Sequence, residues 1–275
     1  PAPPFHLKVL VAGDAMADVY WRSNVTRLSP EAPVPILAVV EEERRDGAAA
    51  NVANNVEAMG VPVERSFGRG ERIRKIRLLA RGQHHARIDF DYPQSAIESD
   101  ASYEDALSRC EIVVLVDYAK GSLAKVQALI SKAKEMKRQI FVDPRGHDFD
   151  KYRGATLLKP NREEMKDLVG GWANQDELDF KARQFLLQSG IESILLTQAA
   201  EGMTLYTKQE TLHVKAEGAE VVDVSGAGEA ALAGYTAAIA KGHSPLRAVE
   251  YANRAAGIAV TRFGTSIVTE AEVFG

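Results

Sequence analysis

The feature that most limits the fold is the alternation that sets in at about residue 110. "EIVVLVDYAKG" and "RQIFVDPRG" are continuous apolar runs with charged or glycine ends. Between them, "SLAKVQALISKAKEMK" (122–137) places its apolar residues at helical spacing. "ATLLKPN", "IESILLTQ" and "GMTLYT" read as further short strands, and the last two helices fall near 228–241 and 245–262. "LKVLVAGD" (7–14) is a run of the same kind near the start. Continuous apolar runs mark strands buried on both faces. Strands alternating with helices form βαβ units with right-handed crossovers and a mainly parallel sheet, so the class is α/β.

Two stretches do not belong to that pattern. "PVPILAVVEEE" (33–43) is proline-flanked and partly alternating, which suits an edge or a separate small sheet. "IRKIRLLARG" (73–82) and "HHARIDFDY" (84–92) alternate and can pair as a hairpin. "GAAANVANNVEAMG" (47–60) reads as a helix stopped by Gly60. There are no repeats, low-complexity tracts or obvious linkers. A chain of 275 residues can hold one large α/β domain or two small ones.

Composition narrows the function classes. A net charge of −4 gives no global attraction to nucleic acid or acidic membranes, so neither is expected as a partner. The lone Cys110 excludes an internal disulfide and, placed before a buried strand, reads as an inert core thiol. No apolar run approaches the ~18 residues of a spanning helix. "PAPPFHLKVLVAGD" shows no basic leader before a long apolar stretch, and the expectation is a cytoplasmic protein.

In a parallel α/β sheet, ligands sit beyond the C-terminal strand ends. Those ends carry Asp14, Asp117, Asp143, Asn161 and Asp223. Any one of them could be only a cap; five together point to a site. The stretch "VVDVSGAGEAALAGY" (221–235) runs from an apolar pair into Asp223, a Gly-Ala-Gly turn and an alanine-rich helix. Gly226 and Gly228 let N–H groups converge, and the helix adds the positive end of its dipole, so phosphate suits the spot. On its own such a turn is equally well a plain tight turn.

Its surroundings make it specific. "DVSGAGE" resembles the D-[TS]-x-G-A-G-D signature of the ribokinase-like (PfkB) carbohydrate kinases. "GDAMADVYW", "RLSPEAPVPI", "GAAANVANN", "DYAKG", "DPRG", "YRGATLLKPNREE", "LLTQAAEGMTLY" and "ANRAAGIAVTRFGTS" resemble the heptose 7-phosphate kinases of that family. The resemblance spans roughly residues 7–60 and 72–275. It implies one ribokinase-like domain over 1–275: a mainly parallel sheet flanked by helices, with a small β lid from about 33–43 and 73–92. It implies ATP and Mg²⁺ as cofactors, a sugar phosphate as substrate and a homodimer formed through the lid. The sugar would lie against Asp14, Asp18, Gly47, Asn51, Asp117 and Lys120. Asn161 and Glu164 match an N-x-x-E motif tied to Mg²⁺ and phosphate. Thr197, Gly202, Asp223, Asn253, Ala255 and Gly257 would serve the nucleotide. Gly226, Ala227 and Gly228 would form the anion hole, followed by the catalytic base, here Glu229.

The sequence departs from that pattern in three places. Glu229 stands where the family has Asp, which moves the carboxylate by about 1 Å. Misplacement of that order costs ~10²-fold, and a general base contributes about 10²–10⁴-fold. The extra methylene is expected to push the carboxylate toward the phosphoryl group. Ala48 replaces the second of two glycines, where a Cβ crowds the sugar or opposes a positive φ. About 30 residues that relatives carry between Gly60 and Ile73 are missing, leaving "VPVERSFGRGER" and implying a sheet one strand smaller. Losses in the sugar and base region beside a better-kept nucleotide half suggest a kinase scaffold with impaired or lost phosphotransfer that still binds nucleotide, a pseudokinase. Two alternatives stand beside it: an active heptose 7-phosphate kinase using Glu229 as base, and an interaction protein using the lid surface.

Other signals read blandly. Arg65, Arg69, Arg72, Arg74, Lys75, Arg77, Arg81 and Arg87 against Glu71 make first a solvated lid face, then a site for the sugar's remote phosphate, then a nucleic-acid surface. His84 and His85 point to opposite sides of a strand and make no metal site alone. Trp21 and Trp172 read as packing residues.

Overall fold

The structure, a computed structural model, describes residues 7–81, 83–218 and 220–275. Part of the stretch searched for a leader, residues 1–6, lies outside them, as does Gly82 at the end of the expected hairpin strand.

The main sheet holds β1 (Val9–Gly13), β4 (Val63–Phe67), β7 (Ile112–Val116), β8 (Gln139–Asp143), β9 (Leu157–Leu158), β10 (Ser193–Thr197), β11 (Met203–Thr207) and β12 (Thr211–Val214). Their order is β12-β11-β10-β9-β8-β7-β1-β4, parallel except for β11 and β12. Both faces are covered, which explains the unbroken apolar runs. Val9 and Val11 of β1 and Ile112, Val114 and Val116 of β7 pack with α1 (Ala49–Ala58), α6 (Ala227–Ala240) and α7 (Pro245–Ala259). Leu10, Ala12, Val113 and Leu115 face the other core, with α2 (Ala101–Ser108), α3 (Val126–Glu135), α4 (Arg162–Val169) and α5 (Gln175–Ser189). Cys110 lies in that second core, fully buried, and burial pushes its thiol up to about 12.

The separate small sheet has the order β3-β2-β5-β6, from β2 (Ala15–Leu28), β3 (Pro35–Ala48), β5 (Ile73–Ala80) and β6 (Gln83–Phe90). It contains the expected lid segments and a 14-residue strand, β2, that has no strand signal of its own in the sequence. Its core is Ala17, Val19, Ile76 and Leu78, with Trp21, Leu37 and Phe90 against it. Trp172 packs on the second core of the main sheet.

Two expectations are corrected. The segment after Gly60 is more than a connector: it contains β4, which pairs with β1 and forms the edge of the main sheet. Asp223 does not end a strand. The described residues of 215–226 contain none, and Val221, Val222 and Val224 are exposed.

Candidate active site

The strands β1, β7 and β8 end side by side, and their ends meet the first turn of α6. A cavity of about 220 Å³ opens there, lined among others by Asp117, Asp143, Lys159, Asn161, Glu164, Thr197, Gly226, Gly228 and Glu229. Gly226 caps α6 with φ 79°, a left-handed conformation that glycine adopts without strain. Asp223 holds the turn from outside, accepting the N–H groups of Ser225 and Gly264, each at 2.9 Å. The free N–H groups of the first turn and the helix dipole make this end of α6 attractive to an anion.

Glu229 decides the chemistry. It is 7% exposed, and both carboxylate oxygens are taken. Oε1 accepts the backbone N–H of Ala48 at 3.0 Å and the Tyr118 hydroxyl at 2.8 Å. Oε2 accepts the Asn51 side-chain amide. The extra methylene therefore does not push the carboxylate toward the phosphoryl position. It carries the carboxylate to two donors at the start of α1, Ala48 and Asn51, and to a third, Tyr118, in the loop after β7. Burial pushes its pKa up to about 7, against the lowering effect of Asn51 and Tyr118, with the charges of Asp18 and Asp143 adding to the rise.

Ala48 is the N-cap of α1 and sits at φ 52°, ψ −130°. The position thus keeps a conformation suited to glycine, at a cost of ~1–3 kcal/mol for a residue with a Cβ. That Cβ is buried, and the N–H bond to Glu229 helps hold the strained residue in place.

The other expected sugar residues are largely engaged with the protein itself. Asp14 is fully buried, and its carboxylate accepts the backbone N–H groups of Tyr118, Lys120 and Ser122 at 2.9, 3.0 and 3.0 Å. It anchors the 118–122 loop and presents no free oxygen face. Asp117 accepts Lys151 at 2.8 Å and the Tyr152 hydroxyl at 2.7 Å. Asp18 pairs with Arg77 inside the lid, and Lys120 with Asp91 at 2.9 Å. Gly47 lies opposite Met16, where an added Cβ would stand 3.1 Å from Met16 Cγ. Of the arginines expected on the lid, Arg65 lies instead on β4 of the main sheet, paired with Glu57; Arg72, Arg77 and Arg87 each have an acidic partner, and Arg74 covers the Phe90 ring. His84 and His85 are both exposed on β6.

On the nucleotide side, Thr197 reaches the cavity from the end of β10. Asn253 donates to the Lys215 carbonyl at 2.8 Å, and a Cβ on Gly257 would meet nothing within 4 Å. Gly202 closes the 199–201 turn at φ 95°, against the backbone of Val214. Ala255 is fully buried, and its Cβ would stand 2.9 Å from one on Gly234 of α6, where it packs the two helices together.

Asn161 and Glu164 form a capping box at the start of α4. Each side chain accepts the other's backbone N–H at 2.9 Å, and Arg145 donates to Glu164 at 3.1 Å. Among the described residues no cluster of three or more His, Cys, Asp or Glu side chains gathers to hold a metal. Mg²⁺ bound by phosphates and water needs only one or two carboxylates from a protein. Glu164 is on the cavity wall, but its oxygens are held by Arg145 and the Asn161 N–H, so it could meet a Mg²⁺ only by sharing or releasing one of them.

Sequence reasoning misses Tyr118, Arg145 and Lys159 on the wall of this cavity. Arg145 and Lys159 have a signal, a basic residue beside each strand-end polar residue, in "DPRG" and "LLKPN".

A mainly parallel α/β sheet with a separate small sheet, and a glycine turn opening a helix beside its strand ends, is an arrangement suited to holding phosphate. Residues 88–272 match the family model described as pfkB family carbohydrate kinase, and the chain belongs to that family. It is 41% identical to the D-beta-D-heptose 7-phosphate kinase of Bordetella bronchiseptica, over 98% of this chain and 95% of that protein. It is 38% identical to the bifunctional protein HldE of Pasteurella multocida, over 97% of this chain but 62% of that longer protein. The Bordetella alignment runs over 298 positions, at least 23 more than the 275 residues here can fill, which agrees with an internal deletion. In fold, the chain matches ribokinase of Arabidopsis thaliana, solved with ribose and ATP, at a TM-score of 0.79 and 18% identity, covering 98% and 97% of the two chains. Ribokinase of Thermotoga maritima follows at 0.75 and 20%, covering 97% and 98%. No described helix is long and apolar enough to cross a membrane.

Proposed function

We propose that this protein is a heptose 7-phosphate kinase relative that still binds nucleotide but has lost most phosphotransfer. The observation that carries the reading is the Glu229 carboxylate. In phosphoryl transfer to a sugar, the residue after the glycine turn accepts the hydroxyl proton and must come within ~2.6–3.2 Å of it. Here that carboxylate is bound by Ala48, Asn51 and Tyr118. It fills the space between α1 and α6, and a sugar hydroxyl would have to displace those donors.

The nucleotide half supports retained binding. The turn at 226–228 keeps both glycines, and phosphoryl transfer relies chiefly on positioning and electrostatics. ATP would place its terminal phosphate at the first turn of α6, and Glu164 would face the accompanying Mg²⁺. When bound, Mg²⁺ neutralises phosphate charge. Asp14 shapes the sugar side by fixing the 118–122 loop. The whole chain acts as one ribokinase-like unit, paired with a second copy through the lid, where Leu28, Val34, Val39, Val40 and Ile88 are exposed.

One observation favours the active alternative. A carboxyl with a pKa of about 7 is matched to general base catalysis near neutral pH. The two readings separate in a coupled ADP-release assay with heptose 7-phosphate, wild type beside Glu229→Asp. Negligible wild-type turnover supports the degenerate reading. An ordinary ~1–100 s⁻¹ makes Glu229 a working base.

A further inference from the structure

A second cavity, larger than the candidate active site, opens between α5 and the β11–β12 end of the main sheet. It measures about 790 Å³, a size that suits a small molecule. Gln175, Asp179 and Arg183 line it from α5, spaced by four and therefore on one helical face. Thr204 of β11 and Thr211 and His213 of β12 line it from the sheet. Strand alternation sets it apart from the candidate active site. Met203, Leu205, Leu212 and Val214 turn to the core shared with α6 and α7, and Thr204, Thr211 and His213 turn to the opposite face.

Two polar side chains on its wall are buried: Gln198 is 3% exposed and Thr204 1%. Thr204 donates its one hydroxyl proton to Gln198 Oε1 at 2.6 Å, and its oxygen lies 2.9 Å from His213 Nδ1, so that nitrogen is the donor of the pair. The Gln198 amide nitrogen has no acceptor among the described residues, where a buried polar group ordinarily finds one. The charges around it are unbalanced as well. Arg183 donates to the Thr211 hydroxyl at 2.9 Å, and neither Arg183 nor Lys215 has an ion-pair partner among the described residues. Of the two acids on the wall, Glu201 is paired with Arg162, and Asp179 accepts Gln175 at 2.6 Å. Two cations and an amide N–H thus border one space, with a single uncommitted charge of opposite sign, Asp179, to answer them.

We propose that this cavity is a second binding site, for a small organic anion whose carboxylate or phosphate group accepts from Arg183, Lys215 and the Gln198 amide. A guanidinium fork suits either group. The cavity has room for more than the charged group, and Asp179 suits a hydroxyl on the rest of the molecule. The assignment stands apart from the nucleotide reading. The competing reading is a pair of solvated surface cations whose charge is met by water and salt alone.

The test is calorimetry with citrate, glycerol 3-phosphate and glycerol on wild type, Arg183→Gln and Lys215→Gln, with and without Mg²⁺-ATP. Both substituted side chains are exposed, so the variants should keep the fold. Heat from citrate alone marks a carboxylate site, heat from glycerol 3-phosphate alone a phosphate site, and heat from both a site for either group; glycerol should give none. Loss of one charge-assisted contact should weaken the bound anion about tenfold in each variant, and ATP should leave it in place. A wild type that takes up neither anion at millimolar concentration overturns the assignment. So does an affinity within about twofold of wild type in Arg183→Gln, which would put the anion elsewhere. Displacement by ATP overturns it too, because the cavity would then belong to the nucleotide site.

Discussion

Replacing Glu229 by Gln should change how stability depends on pH. The carboxyl is buried and raised from 4.5 to about 7. An acid whose folded pKa lies above its unfolded one binds more protons when folded, so its stabilising contribution is present below the unfolded pKa and lost as pH rises through the folded one. The window here runs from about 4.5 to about 7. At 1.36 kcal/mol per unit, the full span is about 3 kcal/mol, and about 2–3 kcal/mol of it falls between pH 5 and pH 8. The amide in Glu229→Gln does not titrate, but it keeps an oxygen for Ala48 and Tyr118. Urea melts at pH 5 and pH 8 on both proteins measure the difference. Wild type should lose about 2–3 kcal/mol more than Glu229→Gln on going from pH 5 to pH 8. Matching pH dependence within about 0.5 kcal/mol would refute the reasoning, because Glu229 would then be ionised throughout and its three donors would outweigh burial.

Other outcomes follow from the same site. Gly228→Val should weaken ATP binding at least tenfold by calorimetry, since its side chain would enter the space held by the Lys159 ammonium; unchanged affinity would place the phosphates elsewhere. Light scattering should give twice the 29.9 kDa chain mass, and Val40→Glu on the exposed lid should return the monomer; a wild-type monomer would end the lid-dimer reading. The double change Ala48→Gly with Glu229→Asp should release ADP from heptose 7-phosphate and ATP faster than the two single gains combined; merely additive or absent gains would show that the two positions act apart.

The main sheet is legible because burial on both faces writes itself as unbroken apolar runs. β7 sends Ile112, Val114 and Val116 to one core and Val113 and Leu115 to the other. β2 is not legible for a related reason. Met16 and Tyr20 are buried in one direction and Ala17 and Val19 in the other, while its far end mixes polar residues with Val25 and Leu28 and is largely exposed, so neither period dominates. β4 carries Glu64 and Arg65 as edge strands do, and passes for a loop. The starts of α4 and α5 are easily missed although both open on an Asn cap, and Asn161 with Glu164 spells a capping box as well as a kinase motif. In the site, the strand-end acids can be found from sequence. Which carboxylates are free cannot, because their partners come from far along the chain: Asp14 meets residue 122, Glu229 meets Ala48 and Tyr118.

Ala48 and Glu229 read as two separate losses in the sequence, yet the structure joins them by a hydrogen bond. That bond explains why a single reversion should fail. Glu229→Asp withdraws the carboxylate by one methylene and cannot keep Ala48, Asn51 and Tyr118 together, so buried donors are left unpaired at about 1–3 kcal/mol each. The strained Ala48 would then lose the acceptor that holds its N–H, and α1 would settle away from a sugar-binding shape. Ala48→Gly alone relieves the strain but leaves the longer carboxylate filling the gap between the helices. Only the pair removes both obstacles: glycine holds the positive φ without help, and the shorter acid vacates the space a sugar hydroxyl needs. The missing residues near the lid still limit the sugar wall, so the double variant should gain turnover over both singles without reaching the rate of an ordinary sugar kinase.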